Sequence, residues 1–131
     1  MKKLVLTCAF LFGCYSSAFA QENQENINWL QLNKVSIDFV GCPTTELYGD
    51  HLEITEESIK LYDEVSSCKI NWFNVLKVGE EGEYLYILSK ENVNNKPLEL
   101  KFYIKERDTH IKFLKAFTNL ANANSKYLVT N

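Results

Sequence analysis

The side chains best suited to metal or acid–base chemistry in this sequence are its two histidines and the carboxylates near them. His51 lies next to Asp50 and two residues before Glu53, and these are ligand types that metal sites use. The alternating pattern around His51 predicts a strand, which sends residues 51 and 53 to one face and Asp50 to the other. A metal site needs several converging ligands. We therefore expect a solvated surface at His51 and no metal site.

The sequence also lacks the usual residue patterns of nucleophilic catalysis and of glycoside hydrolysis. No serine has the surrounding glycines of a nucleophile elbow, and no pair of acids is placed to flank a cleft. The acidic residues fall mostly in predicted turns or at outward-facing strand positions. We predict a protein that is not an enzyme, with no catalytic residue, no cofactor-binding residue and no cofactor.

Cys42 and Cys68 are the two cysteines that remain after removal of a predicted signal peptide. An even number of cysteines in an exported chain indicates a disulfide. A redox-active pair is the weaker alternative, because the C-x-x-C spacing is missing. We predict a disulfide between Cys42 and Cys68, which would stabilise the fold by roughly 3.5 kcal/mol in the chain-entropy description.

The first 20 residues have the order of a secretory signal peptide. Lys2 and Lys3 precede an apolar run, and the segment ends in the small-residue sequence "SSAFA" at Ala20. An alternative cleavage is open within the segment, because "LFGC" at residues 11–14 resembles the lipobox of bacterial lipoproteins. We expect cleavage after Ala20 and an exported protein, periplasmic or secreted, with a lipoprotein anchored at Cys14 as the alternative.

The net charge argues against two classes of partner. Removal of Lys2 and Lys3 with the signal peptide leaves 12 basic and 17 acidic side chains, a net charge of −5. Nucleic acid and anionic lipid both select a basic surface, so we expect neither as a partner. After cleavage we also expect no transmembrane segment, since such a helix needs ~20 consecutive apolar residues.

Hydrophobic periodicity predicts six or so antiparallel strands. Apolar and polar residues alternate at residues 35–39, in a hairpin at 52–61, from 68 to 72, at 84–88 and at 98–104. We expect Val35, Ile37 and Phe39 to form the buried face of the first strand. After Trp72 the apolar residues are spaced more widely, which predicts a bend that turns Trp72, Val75 and Val78 toward one core.

The period becomes helical from Asp108 onward. Phe113, Phe117 and Leu120 recur at steps of three and four, Asp108 is the predicted N-cap, and a polar cluster at residues 122–125 ends the helix. We predict an α+β fold, a curved antiparallel sheet or small, partly open barrel of about six to seven strands capped by one C-terminal helix.

The chain is divided into four segments by these patterns. Residues 1–20 are the signal peptide, residues 21–32 a polar N-terminal lead-in, residues 33–123 a single domain and residues 124–131 a C-terminal tail. Within the lead-in, residues 27–32 fit either a short helical turn or an extended segment.

Residues 69–78, "KINWFNVLKV", resemble the strand and bend of bacterial pleckstrin-homology-like domains. Ile70, Trp72, Val75 and Val78 hold the aliphatic and Trp positions of that pattern. The sequence before it is similar to the preceding hairpin, and residues 98–121 are similar to the last strand and the capping helix. The resemblance implies a pleckstrin-homology-like fold. It does not imply phosphoinositide binding, because the first hairpin, "GCPTTELYGDHLE", lacks Lys and Arg.

Three tyrosines form the predicted partner surface. Tyr84 and Tyr86 share one side of their strand, and Tyr103 lies on the polar side of the last strand. Such a strip suits contact with a protein or a glycan, or packing against the segment that contains Trp29. We expect a binding module for a macromolecule, a protein being the favoured class, and as the alternative a carrier for a small apolar ligand between sheet and helix.

Overall fold

Eight strands, two α-helices and two short 3-10 turns make up residues 21–127, the part of the chain that the computed structural model describes. The signal peptide expected at residues 1–20, with the alternative anchor at Cys14, lies outside these residues. Residues 21–33 are helical and form α1. The remaining elements are β1 Phe39–Cys42, β2 Leu47–Tyr48, β3 His51–Ile54, β4 Ser58–Tyr62, β5 Ser67–Asn71, β6 Val75–Glu81, β7 Tyr84–Val93, β8 Lys96–Tyr103 and α2 Arg107–Asn124, with 3-10 turns at Lys34–Ser36 and Trp72–Asn74.

The strands form two antiparallel sheets. The larger has the order β2-β1-β8-β7-β6 and the smaller the order β3-β4-β5. This arrangement confirms the predicted α+β class, the antiparallel pairing and the C-terminal helix. The described residues contain eight strands rather than six or seven, and the two sheets do not close into a barrel.

Trp72 lies at the bend that its sequence context predicts. A 3-10 turn at Trp72–Asn74 joins β5 to β6, and Trp72, Val75 and Val78 are all buried. The indole Nε1 donates a hydrogen bond to the Thr55 carbonyl at 3.0 Å, which gives the polar atom of this core residue a partner. The bend therefore redirects the chain from the small sheet to the large sheet while keeping one continuous core.

Helix α2 covers the inner face of the large sheet. Its Phe117 packs against Phe102 of β8, with ring centroids 4.9 Å apart, and against Trp72 at 6.3 Å. The N-cap is Glu106 rather than the predicted Asp108, because the Glu106 carboxylate accepts from the backbone N–H groups of Asp108 and Thr109. Asp108 lies in the first turn, where its charge suits the helix dipole.

Helix α1 is part of the packed domain. Ile27 and Leu30 are buried in the common core, and Trp29 contacts Phe113 of α2 edge-on at 4.9 Å. The ambiguous lead-in is thus helical, since its apolar residues 27 and 30 recur at helical spacing and bury one stripe.

The last turn of α1 and the 3-10 turn after it cover the free edge of the small sheet. Gln31 Nε2 donates to the Ile54 carbonyl at 2.6 Å, and Lys34 Nζ donates to the Leu52 carbonyl at 2.9 Å. Both carbonyls belong to β3, an edge strand. Side chains in these positions occupy hydrogen-bonding groups that would otherwise be open to another strand.

The first predicted strand is wrong in position, and its predicted buried face is wrong at Val35 and Phe39, whereas Ile37 packs against the core as predicted. Val35 lies in a 3-10 turn and is 85% exposed, and β1 begins only at Phe39, which is 44% exposed. The inward residues of β1 are Val40 and Cys42. Alternation alone could not set this phase, because a shift of one residue exchanges the two faces of a strand.

Candidate binding face and cleft

Five aromatic side chains lie on the outer face of the large sheet. Phe39 of β1 is directly opposite Tyr103 of β8, which is opposite Tyr84 of β7. Tyr48 of β2 and Tyr86 of β7 lie one row away, on either side of the pair Gly41 and Lys101. Residues directly opposite on neighbouring strands share a face. We call Phe39, Tyr48, Tyr84, Tyr86 and Tyr103 the aromatic face.

The rings of the aromatic face contact one another across the strands. The centroids of Tyr84 and Tyr103 are 5.2 Å apart, and those of Phe39 and Tyr48 are 5.6 Å apart. Both are within the range of favourable aromatic pairs. Neighbours along β7 and β8, such as Leu85 and Phe102, point inward and are fully buried. The core therefore holds the strands while the opposite face presents the rings.

Two glycines let the rings lie against the sheet. A Cβ atom at Gly79 would be 2.5 Å from the Tyr86 hydroxyl oxygen, and one at Gly41 would be 3.1 Å from the Tyr48 ring. Glycine in a strand often marks such a close approach. The sequence contains this signal, although the sequence alone does not identify which ring covers which glycine.

Polar groups surround the aromatic face. The Tyr103 hydroxyl donates to the Glu83 carboxylate, and this contact is the main cause of the raised pKa of Tyr103. Lys77 Nζ lies 5.7 Å from the centre of the Tyr86 ring, and Lys101 pairs with Glu99 at 3.8 Å. The charges are thus of both signs and lie among or beside the rings.

The three tyrosines predicted as a partner surface are together on this face. Trp29, the alternative packing partner for them, contacts Phe113 of α2 instead. Tyr84 is 43% exposed, and Tyr86 and Tyr103 are half-buried by their neighbours. Phe39 also lies on this face, although alternation predicts it in the core, and Tyr48 joins the three predicted tyrosines.

The space between the large sheet and α2 is filled by side chains. Phe102, Phe113, Phe117 and Leu120 are each fully buried there, and Phe113 and Phe117 are in ring contact at 5.8 Å. Packing of this kind does not favour a small apolar ligand between sheet and helix.

A cleft of about 470 Å³ opens at the seam between the two sheets. We call it the seam cleft. Phe39 and Tyr48 line it from the large sheet, and His51 and Tyr62, whose rings are 5.1 Å apart, line it from the small sheet. Gly49 is needed at the turn between β2 and β3, since a Cβ atom there would be 1.8 Å from the Leu61 side chain.

Cys42 and Cys68 approach each other in the core. Both are buried, and their Sγ atoms are 2.7 Å apart as free thiols. The hydrogen bond from the Cys68 thiol lowers the pKa of Cys42 to about 6, and the same contact raises the pKa of Cys68. This separation is longer than the ~2.05 Å of a disulfide, so the two cysteines are neighbouring thiols here and the predicted bond between them is not formed.

His110 forms a buried polar contact with Glu80 that was not predicted from the sequence. Its Nε2 is 2.7 Å from a Glu80 carboxylate oxygen, and Arg107 pairs with the same oxygen at 3.3 Å. The histidine contact and then the nearby guanidinium lower the pKa of Glu80. Glu80 is separated from His110 by 30 residues, so sequence spacing carried no signal of the pair.

Across residues 21–127, no three His, Cys, Asp or Glu side chains converge in a way that could hold a metal ion. In the same range, the helices are too short or too polar to cross a membrane.

No protein-family model matches this chain, and a search of curated proteins found no relative.

Proposed function

We propose that this chain is an exported, non-enzymatic binding module that contacts a partner protein through the aromatic face. The observation that supports the proposal is the set of five aromatic rings on one outer sheet face. Aromatic residues are enriched at protein interfaces, because they offer a large rigid area with few rotatable bonds. Tyr48 and Tyr84 are 63% and 43% exposed, so a partner would remove substantial further apolar area from water.

The mixed charges beside the rings favour a protein over nucleic acid or an anionic membrane. Lys77 and Lys101 are balanced by Glu83 and Glu99 around the rings. A rim of both signs is usual at protein interfaces, whereas phosphate-binding surfaces are dominated by Lys and Arg.

We also propose that the domain is related to the pleckstrin-homology-like class. The buried bend at Trp72, with Val75 and Val78 in the same core, and the capping helix α2 support this relation. Export is proposed on the signal-peptide pattern of residues 1–20. N-terminal sequencing of the native protein should find Gln21, and a lipidated Cys14 would instead indicate an anchored lipoprotein.

Affinity capture from the native envelope, followed by mass spectrometry, tests the binding function. Tyr84→Ala and Tyr86→Ala should each lose a partner that the wild-type chain retains. Phe73→Ala is the matched control, because Phe73 is an aromatic residue, 53% exposed, that lies in the 3-10 turn away from this face. The captured protein is then purified and its affinity for the same variants is measured. Equal affinity of all variants would contradict the proposed face.

A further inference from the structure

The seam cleft is large enough to receive a side chain of a partner protein. Its volume of about 470 Å³ lies within the usual range for ligand pockets, ~300–1,000 Å³. Val40 and Leu52 provide apolar lining, and Tyr48 provides an aromatic ring at the rim. Phe39 and Tyr48 belong also to the aromatic face, so a partner on that face is adjacent to the cleft.

Two carboxylates and one ammonium group line the cleft. Asp38 and Asp50 are exposed there, and the single lysine is Lys34. Lys34 already donates to the Leu52 carbonyl at 2.9 Å, and Asp38 is held by accepting from the Lys105 backbone N–H at 2.8 Å. The acidic groups therefore outnumber the basic group, and the basic group is engaged with the edge of β3.

The remaining titratable side chains of the cleft are aromatic. The rings of His51 and Tyr62 are in tilted contact, with an angle of 33° between their planes, and Lys60 Nζ lies 5.0 Å from the centre of the Tyr62 ring. Tyr62 thus already has a cation and an imidazole as neighbours. Tyr48 is 63% exposed and contacts Phe39, so its ring is the one best placed for a ligand.

We propose that the seam cleft receives a lysine or arginine side chain of the partner protein. The inference rests on the proposed function, and it specifies the chemistry of the partner. The aliphatic stem would pack on Val40 and Leu52, while the cation would lie against the Tyr48 ring and the Asp50 carboxylate. Aromatic faces attract cations, and long basic side chains bury their stems in this way. The net charge of −5 that remains after removal of residues 1–20 also favours a basic partner.

Titration of the 15N-labelled protein with capped tripeptides tests the proposal. The probes are Gly-Arg-Gly and Gly-Lys-Gly, with Gly-citrulline-Gly as the uncharged isostere of arginine and Gly-Leu-Gly as an apolar probe. The basic peptides should shift the amide resonances of Gly49, Asp50 and His51, and salt should weaken the effect. Citrulline and leucine peptides should bind more weakly.

Three variants locate the effect. Asp50→Asn and Tyr48→Ala should each weaken the binding of the arginine peptide about two- to fivefold, the range for exposed ion pairs and cation–π contacts. Glu56→Gln changes the charge equally, in the turn between β3 and β4, and should leave the affinity unchanged.

The outcomes separate the inference from the proposed function. Equal binding of the arginine and citrulline peptides, or an unchanged affinity in Asp50→Asn, would overturn the basic side chain as occupant. Loss of the captured partner in Tyr84→Ala without peptide binding at the cleft would leave the function standing and remove the inference. Preferential binding of the leucine peptide would assign the cleft to an apolar ligand instead.

Discussion

At the residue scale, the buried pair of His110 and Glu80 offers a direct test of how α2 is fixed to β6. His110 is 1% exposed, and its Nε2 has the Glu80 carboxylate as partner. Glu80→Ala should lower the free energy of unfolding by about 1 kcal/mol, because it leaves a buried ring nitrogen without its partner. This loss is at the low end of the range for an unpaired buried polar group. The Glu80 side chain is itself 38% exposed, so water can take over part of its hydrogen bonding to His110.

The matched control for this prediction is Glu81→Ala. Glu81 is the next residue of β6, is exposed and lies toward the outer face. Its replacement should change the stability by less than ~0.5 kcal/mol, the usual range for surface positions. Equal losses in the two variants, measured by urea unfolding, would mean that the His110 contact contributes nothing specific.

We propose that Cys42 and Cys68 form a disulfide when the protein is exposed to an oxidant. Two thiols would lose two protons and two electrons to a disulfide-bearing oxidant, such as oxidised glutathione or a thiol oxidase. Protein taken from the envelope and alkylated under denaturing conditions should incorporate no label, and its intact mass should be lower by two hydrogen atoms. Two labelled thiols in unreduced protein would disprove the bond.

Comparison of the oxidised and reduced forms of the same chain measures what the bond contributes. Reduction should cost about 2–5 kcal/mol in the free energy of unfolding, the usual effect in a small exported domain. Calorimetry before and after reduction isolates the bond, because no side chain is replaced. An unchanged midpoint of thermal unfolding would show that the disulfide does not stabilise the fold.

At the element scale, helix α1 should stabilise the domain through its buried stripe. Leu30 is fully buried and Leu32, two residues later, is 77% exposed. Leu30→Ala should lower the free energy of unfolding by about 2–5 kcal/mol, the cost of an emptied core site. Leu32→Ala should change it by less than ~0.5 kcal/mol. Similar effects of the two variants in thermal unfolding would place α1 outside the cooperative core.

The elements also show which parts of the fold the sequence could predict. Alternation identified β3 and β4, because Leu52, Ile54, Ile59 and Leu61 are all inward and buried. The same reasoning failed at β1. There the alternating residues 35–39 straddle a 3-10 turn and a strand, and no second signal fixed the phase.

The candidate site was predictable only in part for a related reason. Tyr84 and Tyr86 share a face by simple alternation, and Tyr103 has the outward phase of β8. The position of Phe39 opposite Tyr103 depends on pairing of β1 with β8, strands about 60 residues apart. The seam cleft depends in addition on how two sheets meet, which a one-dimensional pattern does not contain.

At the scale of the whole molecule, the lowered carboxyl pKa values predict loss of stability in acid. The pKa values of Glu80 and Glu106 lie below their ordinary value of 4.5, through contacts with His110 for the first and with Thr109 for the second. A carboxyl group whose pKa is lower when folded contributes stability that is present above its unfolded pKa. That contribution is lost as the pH falls through the folded pKa.

Thermal unfolding between pH 7 and pH 3 checks this dependence. The midpoint should fall as the pH drops below about 4.5, and the fall should be shallower in Glu80→Gln, which cannot titrate at that position. A midpoint that stays constant or rises on acidification would contradict the predicted direction.

Vesicle co-sedimentation tests the charge of the molecule as a whole. We expect no enrichment on phosphatidylserine or phosphoinositide vesicles at low salt, because the segment at residues 41–53 contains no Lys or Arg and the chain without residues 1–20 has a net charge of −5. A zwitterionic vesicle is the control. Salt-sensitive binding to the anionic vesicles alone would overturn the expectation.

The pairing of β1 with β8 has a consequence for the order in which the chain folds. The chain is synthesised from its N-terminus, so residues 39–42 have only the two-residue β2 as a strand partner until β8 has been synthesised. Contacts between distant segments form slowly, because the intervening loop must first be closed. We expect Cys42 to stay outside the core during this interval, where an oxidant can reach it. We expect the bond to Cys68 to form in that kinetic window, before the last strand closes over it.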